Sequence, residues 1–509
     1  MAPCATLRTV TDHERPPRAE PPGPVGAVAT PASAPTPFFT ARELAAVTRG
    51  VVERASSRPV RAAAVDSRLV ASGMLFAALP GERTDGHRHL AGAVAAGAAA
   101  LLVARPPDAA AGEPDWDSLG DVTIVRVPDV LRALHLVAAA WRTRFSPLVV
   151  GITGSVAKTS TKEAVAAVLG ERFATLRTEG NRNNEVGLPL TVLGLGPEHE
   201  AAVLEMGMYV GGEIRDLAAI ARPSMGVVTA VQGVHLARIG SLDAVEAAKG
   251  ELVEALPAAA DGGVAVLNAD DPRVSRMGAR TAARVVTYGF DAASDVGAED
   301  VVSAGLDGMR FTLRADGGRH AATIPALGSL SVHNALAAAA VGLAAGMRAD
   351  EVVRGLARGW SAPHRGSVVR AGDLTFVDDA YNASPGSMRA ALDLLTGLPG
   401  RRVAVLGEMR ELGSEHEAGH RGVGEAAAAV ADLLVVVDGL PGGAAWAIAD
   451  GARSAGLAPA RVVPVADVHA AVAELRSRLQ SGDVVLVKAS RGIELERVVD
   501  AFADGAGPR

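Results

Sequence analysis

Gly154-Ser155-Val156-Ala157-Lys158-Thr159 stands between an apolar run, SPLVVGITG, and a helical pattern, KTSTKEAVAAVLG. Strand, glycine-containing loop and helix in immediate succession form a phosphate cradle: backbone amides at the helix N-terminus hold anionic oxygens and a lysine reaches the terminal phosphates. A threonine hydroxyl can join a Mg2+ shell. Gly154, Ser155, Ala157, Lys158, Thr159 and Ser160 are therefore the candidate nucleotide set, with Thr159 also a metal candidate. A strict phosphate loop has glycine directly before the lysine, where this chain has Ala157. If that position needs positive φ, its Cβ costs about 1 kcal/mol. The competing interpretation is an ordinary capped helix with a surface lysine.

Glu205 closes the apolar run of VLEMG, and the carboxyl edge of a parallel strand faces the ligand crevice. A carboxylate there suits Mg2+ opposite the phosphate loop or, equally, a loop cap. His235 follows another strand and Lys249 sits in EAAKGEL; read singly, they are a loop histidine and a solvated helix lysine. Asp378 and Asp379 end LTFVDD, ahead of Tyr381 and Asn382, where carboxylates could hold ribose hydroxyls, a metal or only a turn. Asp66-Ser67-Arg68 and Thr84-Asp85-Gly86-His87 suit a phosphorylated or sugar ligand, and also a salt-bridged turn.

Several layers of α/β structure are needed to position these groups. A chain of 509 residues exceeds one core and divides into about three domains. We expect a Pro/Ala-rich disordered tail over 1–38, a small mixed α/β domain over 39–143, a central nucleotide-binding domain over 144–360 and a third α/β domain over 361–509. The central strands AAVLEMG, MGVVTAV and GVAVLNAD alternate with helical stretches, which indicates a largely parallel sheet. Gly359 to Gly366, with Pro363 inside it, has the composition of a hinge before a small doubly wound, Rossmann-like domain. TARELAAVTRG reads as a short capped helix ending at Gly50.

A formal charge of -7 gives no basic surface for nucleic acid, and a single cysteine, Cys4, allows neither an internal disulfide nor a thiolate metal site. No apolar run reaches membrane-spanning length, so no integral membrane segment is expected.

From about Phe39 onward the chain resembles the Mur ligases of peptidoglycan synthesis, through GITGSVAKTSTKE, VLEMGMYVGGEI, NADDPRV and LVKASRG. GNRNNEVGLPLTVL, VDDAYNASPGSM and VLGEMRELG are similar to the branch that adds D-alanyl-D-alanine. The resemblance implies a three-domain α/β ligase with a central phosphate-loop ATPase domain. Its implied reaction joins D-alanyl-D-alanine to UDP-N-acetylmuramoyl-tripeptide through an acyl phosphate, using ATP and Mg2+ in the cytoplasm. By position it implies that Lys158 and Thr159 meet phosphates and Mg2+, that Glu205 and His235 hold magnesium, and that Lys249 is carbamylated into an anionic metal ligand. Asn183, Asn184 and Asn382 would be substrate contacts, and Asn334, Arg365 and Asp379 nucleotide contacts. Ser67, Arg68, Asp85, Gly86 and His87 would grip the UDP-sugar peptide.

Four positions depart from the pattern: Ala157 for glycine, Leu330-Ser331 for a His-Asn pair, and His364 for glycine before Arg365. Two other functions compete. One is a different amide ligase of the Mur or folylpolyglutamate type; the other is an impaired homologue that binds nucleotide or precursor as a regulator. Nothing in the sequence indicates an oligomeric state.

Overall fold

The computed structural model describes residues 39–81, 84–233, 239–410, 412–438 and 445–503. The expected tail over 1–38 lies outside them, apart from its boundary at Phe39.

Three sheets follow one another along the chain. The first has five strands, and its core strands Leu75–Ala77, Ala100–Val103 and Thr123–Arg126 are parallel. Its opening helix, Ala41–Thr48, is capped by Thr40 and Glu43 reciprocally. Its last helical residue is Thr48, two before the expected end at Gly50, and the left-handed C-cap is Arg49, at φ 55°. Gly50 is required instead for clearance, because a Cβ there would meet Val125 and the Arg126 carbonyl below 3 Å.

The second sheet has nine strands. Its parallel centre places Leu148–Thr153 between Met225–Val228 and Ala201–Glu205. Alternate residues of these strands enter two different apolar cores: Val149, Ala202 and Leu204 one, and Val150, Ile152 and Val203 the other. Both faces are thus covered, which is why the strands read as continuous apolar runs. The far edge is an antiparallel extension of Val296–Ser303, Met309–Ala315 and Gly318–Ile324, which the sequence reading did not anticipate. Helix Val130–Arg142 joins the first two sheets, with Trp141 in their shared core donating Nε1 to Leu195 O at 3.0 Å.

The third sheet has six strands, five parallel, with Leu374–Asp378, Val484–Lys488 and Arg402–Gly407 side by side. In its lead-in Gly359, His364 and Gly366 all have positive φ. Among the described residues no helix is long and apolar enough to cross a membrane.

Candidate functional site

The phosphate loop forms because strand Leu148–Thr153 ends at Gly154, whose φ of 151° and lack of a side chain let it pass Thr229. The loop is then tied to the next strand's end. Ser155 N donates to Ala230 O at 2.8 Å, and Thr229 Oγ1 donates to Val156 O at 2.6 Å. Ala157 is the N-cap of helix Lys158–Leu169 and adopts φ 65°, ψ 0°, so this position does require the left-handed region, and an alanine occupies it. No side chain caps this helix, which leaves its first amides available to an anion. Lys158 Nζ curls back onto Gly154 O at 2.8 Å. Burial pulls its pKa down; attraction to Glu205 opposes this and repulsion from Arg365 adds to it.

Glu205 is 1% exposed at the carboxyl end of its strand. Its Oε1 accepts from Asn183 Nδ2 at 2.7 Å, while Oε2 is buried without a partner among the described residues. An orphaned buried carboxylate oxygen is costly unless something meets it, and a hard cation needing few protein ligands fits that requirement. Lys249, on helix Leu242–Glu254, is 2% exposed and makes no hydrogen bond or ion pair among the described residues. Burial, then repulsion from Lys158, holds its pKa well below the usual lysine range. Lys158, Glu205 and Lys249 therefore share one corner of the central sheet. His235 lies outside the described residues. Among those residues no cluster of three or more His, Cys, Asp or Glu side chains gathers.

A cavity of about 520 Å³ opens from this corner toward the third sheet. Ser155, Ala157, Lys158, Thr159, Ser160, Asn183, Glu205, Asn334, Arg365, Asp379 and Asn382 all line it, so most of the candidates converge. The two aspartates divide: Asp378 is buried against His364 Nδ1 at 2.7 Å, and Asp379 reaches the cavity, where Lys488 Nζ bonds its Oδ2 at 2.6 Å. Burial raises the Asp378 pKa despite the His364 contact. Arg365 lies over the Tyr381 ring at 4.0 Å.

At the head of helix Ser329–Ala344, Leu330 faces the cavity and is 44% exposed, while Ser331 donates its hydroxyl to Leu327 O at 2.7 Å. Asn334 spends Oδ1 on Thr161 at 3.1 Å, tying this helix to the phosphate-loop helix. His333 turns away to Asp270 at 3.0 Å.

Other candidates have local duties. Asn184 Oδ1 accepts from Gly187 N at 2.9 Å and does not line the cavity. In the first sheet's loops, Asp66 caps the turn through Ser67 and clasps the exposed Arg68. Ala104 N donates to His87 Nε2 at 3.0 Å, so Nδ1 carries the proton and donates to Asp85 at 2.7 Å. Neither His87 ring nitrogen is left for a ligand. Gly86 is needed because a Cβ would press on the Ala78 backbone at 2.8 Å. Lys488, Arg410 and Arg491 also line the cavity and were not singled out from sequence. The available signal was their place just at or after the carboxyl ends of strands.

Residues 152–342 match the Mur ligase middle domain, 364–491 the Mur ligase glutamate ligase domain, and 60–142 the Mur ligase family catalytic domain. A Mycobacterium tuberculosis protein named UDP-N-acetylmuramoyl-tripeptide--D-alanyl-D-alanine ligase is 41% identical over 471 residues, spanning 86% of this chain and 91% of that protein. The chain belongs to the Mur ligase family. Among solved structures, MurF from Acinetobacter baumannii superposes with a TM-score of 0.81 at 28% identity, covering 92% of this chain and all of that one. MurF from Thermotoga maritima, solved with ADP, gives 0.75 at 28% identity and covers 88% and 98%. This Mur ligase therefore shares its three-domain framework with those structures over most of its length.

Proposed function

We propose that the chain joins D-alanyl-D-alanine to the terminal carboxylate of UDP-N-acetylmuramoyl-tripeptide, consuming ATP. The observation that carries this reading is the buried, half-satisfied Glu205 carboxylate across the cavity from a formed phosphate loop. Relatives bearing that ligase name, at 33% to 41% identity, supply the substrate class.

In this reading the first amides of helix Lys158–Leu169 and the Lys158 ammonium hold the ATP phosphates. The tripeptide carboxylate attacks the γ-phosphorus, ADP leaves, and Lys158 neutralises charge that spreads over the transferring oxygens. The amine of the dipeptide then attacks the acyl carbon, losing a proton as phosphate departs. Thr159, Glu205, His235 and a carbamylated Lys249 would hold Mg2+, which supplies Lewis-acid neutralisation of the phosphates when bound. Carbamylation adds CO2 to the neutral Lys249 amine with loss of one proton; the buried, readily deprotonated amine, unpaired among the described residues, favours it. Asn183 positions Glu205 by its 2.7 Å hydrogen bond. Arg365, Asp379, Asn334 and Asn382 would border the nucleotide and the acceptor, with Ser67 and Arg68 on the precursor side. The reaction belongs in the cytoplasm, where ATP and the UDP-linked precursor are available.

The test is ADP release by the purified chain with Mg2+, ATP, the UDP-tripeptide and D-alanyl-D-alanine, each omitted in turn, with the product mass measured. Release that needs both peptide substrates, together with the pentapeptide mass, supports the assignment. Preference for a single amino acid as acceptor would move the protein to another branch. Binding without turnover would make it a regulator. Intact mass spectrometry after labelled bicarbonate reads the Lys249 carbamate separately.

A further inference from the structure

Lys162 is a buried cation outside the reaction cavity. It lies one turn beyond Lys158 on helix Lys158–Leu169, is 0% exposed, and does not line the cavity. Sealing an ammonium from water is costly unless it is fully paired, and an apolar side chain of similar length would fill the space without that cost. Its three donors find three oxygens: Thr178 O at 2.6 Å, Glu163 Oε1 at 2.9 Å and Gly180 O at 3.4 Å. Glu163 meets Arg177 Nε with its other oxygen, also at 2.9 Å. Lys162 and Glu163 together therefore grip the chain where strand Thr175–Arg177 runs into the loop after it.

That strand is three residues long and forms the edge of the nine-stranded sheet, so strand Ala201–Glu205 holds it from one side only. Thr178, fully buried, presents its carbonyl to Lys162 and its hydroxyl to Glu205 N at 3.0 Å. Further along the loop, Asn183 O accepts from Gly207 N at 2.7 Å, and Asn183 Nδ2 donates to Glu205 Oε1. Parallel pairing with Leu148–Thr153 fixes where the Glu205 backbone sits. The aim of its carboxylate depends on the loop: Asn183 holds one oxygen, and the other has no partner among the described residues.

We propose that Lys162 is a positioning residue: by anchoring the 178–183 loop to the phosphate-loop helix, it aims the Glu205 carboxylate at the cation that accompanies the nucleotide. The tie joins both sides of the site, since the helix bearing Lys162 starts at the phosphate loop and the loop it grips reaches Glu205 through Asn183. Partners one step removed from a metal ligand alter metal affinity about 10- to 100-fold. This inference rests on the reading of Glu205 as a Mg2+ ligand in the proposed ligase.

The experiment measures Mn2+ binding to the full chain with ADP present, by electron paramagnetic resonance, in wild type, Lys162→Met, Asn183→Ala and the double variant. Val168→Ala, a buried position on the same helix, is the control. Lys162→Met should weaken Mn2+ binding about 10-fold, and Asn183→Ala at least as much. The double variant should bind no more weakly than Asn183→Ala, because Lys162 acts through that side chain. Val168→Ala should lower the denaturation midpoint and leave Mn2+ affinity unchanged. Turnover of Lys162→Met should need correspondingly more Mg2+, with KM for D-alanyl-D-alanine unaltered. Unchanged Mn2+ affinity in Lys162→Met overturns the proposal, as does additive weakening in the double variant, which would make the lysine a structural anchor alone. If Lys162→Met does not fold, Lys162→Gln and Thr178→Val cut the tie on either side of Thr178 and are judged by the same cycle against Asn183→Ala. Wild type that binds Mn2+ yet makes no pentapeptide overturns the ligase reading and leaves the cycle to decide Lys162. Wild type that binds no Mn2+ with ADP overturns the metal reading of Glu205 and this proposal together.

Discussion

Replacing Ala157 with glycine should stabilise the start of the phosphate-loop helix, because its φ of 65° and ψ of 0° lie where an L side chain is strained. A Cβ in this region costs about 1–2 kcal/mol. No side-chain hydrogen bond at Ala157 offsets that cost. The glycine loses about 0.4–1 kcal/mol of the gain through its freer unfolded chain. The net expectation is about 0.5–1 kcal/mol of added stability, or a roughly two- to fivefold rise in protection against local opening. Ala167, in the same helix at Lys158–Leu169, is the control: there Ala→Gly should cost about 1 kcal/mol. Amide hydrogen exchange across the helix reads both, which avoids assuming two-state unfolding for a chain with three sheets. KM for ATP should not rise in Ala157→Gly. The reasoning fails if the two substitutions lower protection alike, since the left-handed geometry would then carry no strain to relieve.

Glu205→Gln keeps a hydrogen-bonding group for Asn183 but removes the charge; kcat should fall about 100-fold or more while the circular dichroism spectrum is unchanged, and near-normal turnover would remove Glu205 from the site. His364→Gly suits the φ of 58° yet leaves the buried Asp378 carboxylate without its 2.7 Å partner. At neutral pH it should destabilise the third sheet by about 1 kcal/mol or more. Because burial raises the folded pKa of Asp378, the deficit should shrink as pH falls and the group protonates, as urea titrations at several pH values would reveal. Glu246 is held at about 2, chiefly by hydrogen bonds from Arg276 and then Arg273, against the opposing effect of burial. Its folded value lies below an unfolded one of about 4.3, so its contribution is full above that pH and is lost as pH falls toward 2. Glu246→Gln should therefore show a shallower loss of stability than wild type between those limits, measured by denaturant midpoint.

The readable parts of this protein were those in which one short segment contains its own geometry. GITGSVAKTSTKE specifies strand, loop and helix in order, and even the expected strain at Ala157 appears in its φ. The glycine- and proline-rich segment from Gly359 to Gly366 does contain left-handed backbone, and His364 occupies one such position at φ 58°. The antiparallel strands from Val296 to Ile324 were missed because VGAEDVVS and GRHAATI have too little apolar contrast to stand out. Likewise, Thr84-Asp85-Gly86-His87 showed its donors and acceptors without showing that they satisfy one another.

The sequence alone established the α/β class, the phosphate loop and the strand-end carboxylates, since backbone periodicity and local turn chemistry decide these over a few residues. Only the tertiary structure decided which charges meet. Asn183 reaches Glu205 across 22 positions, and Lys488 reaches Asp379 across 109, because parallel strands bring distant carboxyl ends to one edge. Desolvation is likewise a property of the packed whole: the same packing leaves a Glu205 oxygen orphaned among the described residues, and Lys249 reads as an ordinary helix lysine until sheet and helices close over it.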